Sequence, residues 1–198
     1  PVRFIGNYSS GKMGYALAEE CASRGAEVIL VSGPVTLKEH HPNIRRIDVE
    51  SAEEMYEEAR RAYTDADAGI LCAAVADFTP DHTADHKIKR GKDGMTIQLK
   101  PTKDIAASLG ATKKEGQVLV GFALETNDEQ QNAKGKLERK NFDFIVLNSL
   151  NDKGAGFRVD TNKISIIDRQ DTTSYPLKNK SEVAKDIIDR LVQTLNKN

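Results

Sequence analysis

Apolar positions recur every four residues between Lys12 and Arg24, where Met13, Leu17 and Cys21 share one stripe with Ala16 beside them. The spacing predicts a helix, closed by Gly25 as a C-cap. The pattern then changes to short apolar runs: Glu27 to Ser32 (EVILVS), ended by Gly33-Pro34, and Ile44 to Val49 read as strands. Ser51 caps an acidic helix reaching about Thr64. Ala68 to Ala76 is apolar on every face, the mark of a central parallel strand rather than an edge. After Asp77 comes a polar stretch containing a strand candidate, Met95 to Leu99. Thr102 to Leu109 then reads as a short helix, Val118 to Ala123 as a strand, Asp128 to Lys140 as a charged helix and Phe142 to Leu147 as a buried strand. Phe157 to Val159 and Ile164 to Ile167 flank Asp160-Thr161-Asn162-Lys163 as the arms of a hairpin, and Val183 to Leu195 carries the period of a final helix. Strands alternating with helices predict an α/β fold, a parallel sheet covered by helices on both faces with a small C-terminal antiparallel hairpin addition.

Length and composition narrow the classes. The chain has 198 residues with 38% apolar composition, enough for one domain with a substantial core, and no repeat or Pro/Gly-rich linker divides it. Its 29 Lys plus Arg balance 30 Asp plus Glu, and the net charge of −1 gives no general reason to expect nucleic acid or an anionic membrane as partner. No apolar run approaches bilayer length and no basic region precedes an apolar signal core, so a cytoplasmic protein is the simplest reading. Cys21 and Cys72 fall inside apolar patterns without CxxC or ligand spacing, which predicts reduced, buried thiols.

Candidate chemistry begins at Gly6-Asn7-Tyr8-Ser9-Ser10-Gly11-Lys12-Met13-Gly14, placed directly before the first amphipathic run. Amides of a first helical turn, glycines and a lysine together favour an anion. The segment nearly spells a P-loop, but Met13 stands where a magnesium-binding hydroxyl belongs. In an open α/β sheet ligands lie beyond the carboxyl ends of the strands. That geometry selects Asp77, Phe122 to Asn127 (FALETN), Asn148 and the Asn7 to Gly14 segment. Two cationic groups remain: Lys87-Ile88-Lys89-Arg90-Gly91-Lys92, whose alternation suits a flap over phosphates, and Lys134, Lys136, Arg139 and Lys140 on one helix. His82 and His86 are four apart near Asp81 and Asp85, but Pro80 and the surrounding polarity argue against one helical face, so no metal site is expected there.

Taken together, PVRFIGNYSSGKMG at the start, LVSGP at Leu30 to Pro34, CAAVADF at Cys72 to Phe78, HKIKR at His86 to Arg90, KDI at Lys103 to Ile105, GFALETN at Gly121 to Asn127 and KLERKNFD at Lys136 to Asp143 closely resemble the bacterial phosphopantothenoylcysteine synthetase family of coenzyme A biosynthesis. The resemblance spans nearly the whole chain and implies a single Rossmann-like nucleotide-binding ligase domain over residues 1–198. The reaction it implies joins cysteine to 4′-phosphopantothenate with CTP and magnesium, through an acyl-cytidylate, releasing pyrophosphate and then CMP. By the same resemblance Asn7 contacts the substrate carboxyl and its activated intermediate, and Lys87 is the flap lysine. Leu71, Cys72, Ala73, Asp77, Lys103, Asp104, Ile105 and Ala106 line the nucleotide site, Phe122 packs beside the nucleotide, and Lys136 and Lys140 complete its positive side. Leu71 replaces a usual glycine, and Thr102-Lys103 replaces a common Asn-Pro. Relatives open this domain with a further strand and a glycine-rich turn before the Pro1-Val2-Arg3 match, so the chain is expected to lack its first, central strand. A homodimer is implied, as is fusion to a flavin-dependent decarboxylase in longer relatives. Flavin itself is not expected to bind this segment.

The implied chemistry suits these residue types. A carboxylate resists amine attack until it is activated, and activation brings two anions within bonding distance, which lysines, helix-start amides and magnesium favour. Two other classes compete. A P-loop NTPase would use Gly6 to Lys12 as its cradle, against which Met13 and the short Val2 to Ile5 run argue. An NAD(P)-dependent reductase or dinucleotide-binding module would share the α/β pattern, yet no GxGxxG follows a strand in this sequence.

Overall fold

The structure, a computed structural model, describes residues 6–7, 9–86, 88–89, 94–125, 129–149 and 159–197. Gly11, at φ +75°, takes a left-handed turn that glycine adopts without strain, and α1 (Lys12–Ser23) follows. Next come β1 (Val28–Ser32) and β2 (Ile44–Asp48), which pair in parallel. Helix α2 (Ala52–Tyr63) starts at a capping box. The Ser51 hydroxyl accepts the Glu54 N–H at 3.2 Å, and the Glu54 carboxylate accepts the Ser51 N–H at 3.1 Å. The middle of the chain contributes β3 (Ala68–Leu71), β4 (Phe78–Pro80), β5 (Leu99–Pro101), α3 (Ile105–Thr112), β6 (Val118–Glu125), α4 (Glu129–Arg139) and β7 (Phe144–Ser149). Strands β8 (Thr161–Asn162), β9 (Ile164–Ile167), β10 (Thr172–Ser174) and β11 (Lys178–Asn179) precede the last helix, α5 (Lys180–Leu195).

The main sheet has the order β10-β9-β7-β6-β3. Strands β3, β6 and β7 run parallel, whereas β9 is antiparallel to both β7 and β10, so the sheet is mixed. Strand alternation divides its side chains between two faces. Val118, Val120, Phe144, Val146, Ile164 and Ile166 pack against Met13 and Leu17 of α1 and the Val183, Ala184, Ile187, Ile188 and Leu191 stripe of α5. Leu119, Ala123, Ile145, Leu147 and Ile167 meet Tyr63 of α2, Leu109 of α3, and Ala133 and Leu137 of α4. Each fully buried aliphatic side chain contributes about 1.5–3 kcal/mol, and this double coverage is why β6 and β7 read as continuous apolar runs. No helix among the described residues is long and apolar enough to cross a membrane.

Four expectations change. The run Ala68 to Ala76 is a strand only to Leu71, and β3 lies at one side of the main sheet, paired only with β6 among the described residues. Its apolarity reflects helices on both faces, since Ile70 and Cys72 pack on one cluster and Leu71 on the other, and that does not distinguish a middle strand from an outer one. The hairpin pairs Ile164–Ile167 with Thr172–Ser174 rather than across Asp160 to Lys163. Asp168 makes that turn, its Oδ1 accepting the N–H groups of Gln170 and Asp171, each at 2.7 Å. Thr161–Asn162 pairs instead with Lys178–Asn179, and Phe157 and Arg158 lie outside the described residues. The helix expected from Thr102 starts at Ile105, because Asp104 is its N-cap and accepts the Ala107 N–H at 2.9 Å. The strand expected at Met95 to Leu99 forms at Leu99–Pro101, paired antiparallel with β4. Both cysteines are free and half-buried, and burial pushes the Cys21 thiol up to about 11 and the Cys72 thiol to about 12.

Candidate active site

Three sequence motifs converge on the turn that leaves β3. Asn7 donates through Nδ2 to the Ala74 carbonyl, and its Oδ1 accepts the Ser9 N–H at 2.8 Å. On the other side Thr102 donates twice, through Oγ1 to the Ala76 carbonyl at 2.8 Å and through its N–H to the Asp77 carbonyl at 2.9 Å. The turn is therefore tied to the residues entering α1 and to the segment entering α3. These bonds engage the carbonyls of Ala74, Ala76 and Asp77, and the Asp77 side chain is exposed.

The predicted nucleotide residues divide around this turn. Leu71, Ile105 and Ala106 pack on the α2/α3/α4 face, while Cys72 and Phe122 pack on the α1/α5 face, and Ala73 and Asp77 are exposed between them. Asp104 pairs with Lys140, which follows α4, and Lys136 lies half-buried one turn earlier on that helix. Gly110 permits this approach, since a Cβ there would stand 2.0 Å from the Lys140 carbonyl oxygen. Lys103 is held by α2: it pairs with Glu53, lies 3.4 Å from Glu57 and sits 4.6 Å above the Tyr56 ring. The Glu53 hydrogen bond most of all, with Glu57, raises its pKa against a smaller opposing effect of burial. Asn148, expected at a strand end, is within β7 and accepts from Asn162 at 3.0 Å. Lys87 lies outside the described residues, as do Thr126 and Asn127 of the FALETN segment.

Sequence reasoning placed Lys12 at an anion-favouring helix start but left out the charged partners that the fold gathers around it. Lys12, the first residue of α1, pairs with Asp160 at 2.6 Å. Lys180, the first residue of α5, is buried and donates to the Val159 carbonyl at 2.6 Å. The signal was present: a lysine opens a helix, where the dipole disfavours a cation. The apolar stripe starting at Val183 drew the helix boundary past it.

A mixed α/β sheet with its candidate ligand groups gathered beyond the carboxyl end of a parallel strand defines an α/β domain of the Rossmann-like class, with its candidate site where that class places ligands. The chain belongs to the family described as the DNA/pantothenate metabolism flavoprotein C-terminal domain, whose model matches residues 1–195. It is 58% identical over 97% of its length to a protein named cysteine/cysteine sulfinic acid decarboxylase from an unknown prokaryotic organism, covering 54% of that protein. It is 46% identical over 96% of its length to the coenzyme A biosynthesis bifunctional protein CoaBC of Bacillus subtilis, covering 47% of it. The chain thus spans about half the length of the curated relatives it matches. Among solved structures, the C-terminal domain of a CoaBC protein superposes with a TM-score of 0.84 at 37% identity, over 100% of this chain and 89% of that one. A Cab2 mutant in complex with phosphopantothenate-cysteine shares the fold, with a TM-score of 0.78 at 17% identity over 99% of this chain and 81% of that one.

Proposed function

We propose that this chain is the ligase domain of coenzyme A biosynthesis, joining cysteine to 4′-phosphopantothenate at the expense of CTP. The observation that carries the reading is the convergence of the Asn7, Cys72 to Asp77 and Thr102 to Ala106 motifs on one hydrogen-bonded turn, in a chain of this family. In the first step a substrate carboxylate oxygen attacks the α-phosphorus of CTP and pyrophosphate leaves. In the second, the cysteine amine attacks the acyl carbon of the acyl-cytidylate, CMP leaves and the amine loses a proton.

Asn7, anchored through its amide to Ala74, orients the carboxyl group, and the exposed Asp77 and the α3 start at Asp104 to Ala106 receive the nucleotide. Lys140 and Lys136 supply positive charge beside that start, and Phe122 packs near the base. Lys103 joins them by exchanging its Glu53 contact for phosphate. Lys87 closes over the intermediate as a flap lysine. Magnesium, which keeps much of its water and binds through one or two carboxylates plus phosphates, would offset triphosphate charge when bound with CTP. The domain is cytoplasmic and works as a homodimer, a reading supported by the exposed apolar side chains Phe78, Met95, Ile97 and Leu99 along and beside β4 and β5. Longer relatives join it to a decarboxylase domain.

Thermal melting with CTP and magnesium, ATP or NADPH tests the assignment, with product analysis in the presence of both acceptor substrates. CTP gives the largest stabilisation, and CMP and pyrophosphate form with the amide. Greater stabilisation by NADPH, or release of CO2 from cysteine sulfinic acid without CTP consumption, overturns it. Sedimentation checks the dimer, which a monomer at high concentration would refute.

A further inference from the structure

Lys12 and Lys180 break the same local rule. Each is the first residue of a helix, where the N–H groups and the dipole disfavour positive charge, and Lys180 lies near enough to feel both Lys12 and Cys72, the residue that follows β3. Lys180 is also 7% exposed, so its ammonium has given up water. Burial, reinforced by the charge of Lys12, lowers the Lys180 pKa, and Lys180 in turn acts on the neighbouring Cys72 thiol. Between the two lysines runs Val159-Asp160. Lys180 grips it twice, its Nζ donating to the Val159 carbonyl at 2.6 Å and its backbone N–H to the Asp160 carbonyl at 2.9 Å. The Asp160 carboxylate, 82% exposed, reaches back to Lys12 at 2.6 Å, and that hydrogen bond lowers its pKa.

We propose that Lys180 is a positioning residue for Lys12: through Val159 and Asp160 it holds the Lys12 ammonium at the start of α1, where a substrate phosphate takes Lys12 over from Asp160. This rests on the ligase reading above. A buried lysine kept only for packing gains nothing over leucine or methionine and pays desolvation, whereas a lysine that fixes a short segment by two hydrogen bonds presents the next carboxylate at a set place. Asp160 is suited to being displaced. It is mostly in water, so losing Lys12 costs it little, and a doubly charged phosphate outcompetes one carboxylate.

The test is a double-mutant cycle in the active ligase, with KM measured separately for CTP, 4′-phosphopantothenate and cysteine. Lys180→Met, Asp160→Asn and Lys12→Ala each raise KM for one phosphate-bearing substrate about fivefold, near the upper end for a partly exposed charge contact. The substrate affected identifies whose phosphate Lys12 holds, and KM for cysteine stays put. In the Lys12→Ala background neither of the other changes adds to the loss, because both act through Lys12. A further loss on adding Lys180→Met to Lys12→Ala, or a lowered melting temperature with all KM values unchanged, overturns the proposal. Should Lys180→Met fail to fold, Asp160→Asn decides: it removes an exposed carboxylate, and an unchanged KM for both phosphate substrates overturns the proposal. A wild-type protein that binds CTP and forms no amide overturns the ligase reading together with this one. A working wild type with additive variants overturns this one alone.

Discussion

Two lysines shielded from water sit at opposite ends of the sheet and are handled in opposite ways. At the amino ends of β6 and β7, Lys113 contacts both Asp143 oxygens at 3.1 and 3.0 Å and the Asn141 carbonyl at 2.9 Å. Asp143 also accepts the Leu119 N–H at 2.6 Å, so one carboxylate joins a loop, a helix end and a strand. Beyond the carboxyl end of β3, the Lys180 ammonium donates to a carbonyl, and the nearby carboxylate of Asp160 turns outward to Lys12. The first arrangement satisfies its charges internally and fixes the fold. The second links a buried, pKa-depressed cation through a short segment to an exposed carboxylate and Lys12, at the edge where ligands are expected.

The sharpest way to break this contrast is to remove Asp143. Asp143→Ala strands Lys113 and an N–H of β6, and it costs about 3 kcal/mol in urea denaturation while the fractional thermal response to CTP is retained. Gly110→Ala follows, because its Cβ has no room beside the Lys140 carbonyl; the expected loss is about 2 kcal/mol, with a weakened CTP response as Lys140 shifts from Asp104. Lys140→Gln inverts the signature: stability changes by less than about 0.5 kcal/mol, since the pair is partly exposed, and the CTP-induced melting shift shrinks. The smallest effect belongs to Asp168. Burial pushes its carboxyl up, but the N–H groups of Asp171 and Gln170 and the Arg190 guanidinium more than offset this, and its pKa is lowered. A depressed native pKa gives stability that is present above the unfolded carboxylate value, about 4, and lost as pH falls through the native one. Asp168→Asn therefore flattens the acid limb of a melting-temperature profile and leaves its neutral plateau lower and level.

How much of this was legible in the sequence follows from which forces act locally. Helices α1 and α5 could be read because each owes its burial to one stripe, β6 and β7 because their double coverage makes them continuous apolar runs, and α2 because Ser51 and Glu54 announce its cap. The place of β3 at one side of the sheet among the described residues could not, since an apolar run covered by helices on both faces looks alike in the middle of a sheet and at its side. The hairpin was misplaced because Asp160-Thr161-Asn162-Lys163 carries turn residues as good as those at Asp168 to Asp171; only the pairing of β9 with β7 decides between them. In the site, Asn7, Asp77 and Asp104 follow from motif and strand-end position. The acid clamp on Lys103 depends on α2 lying beside α3, a tertiary fact, and Lys180 hid behind a stripe that begins three residues later.

Thr102 carries a practical consequence for anyone reshaping the candidate site. Because one residue bonds two consecutive carbonyls of the turn after β3, that turn and the start of α3 are mechanically a single part. A graft exchanging Cys72 to Asp77 alone for a loop from a distant enzyme would arrive without its matching anchor, and a change at Thr102 alone would loosen both halves. Transplants that move the two segments as a pair, with a hydroxyl retained at position 102, are the ones that keep their shape.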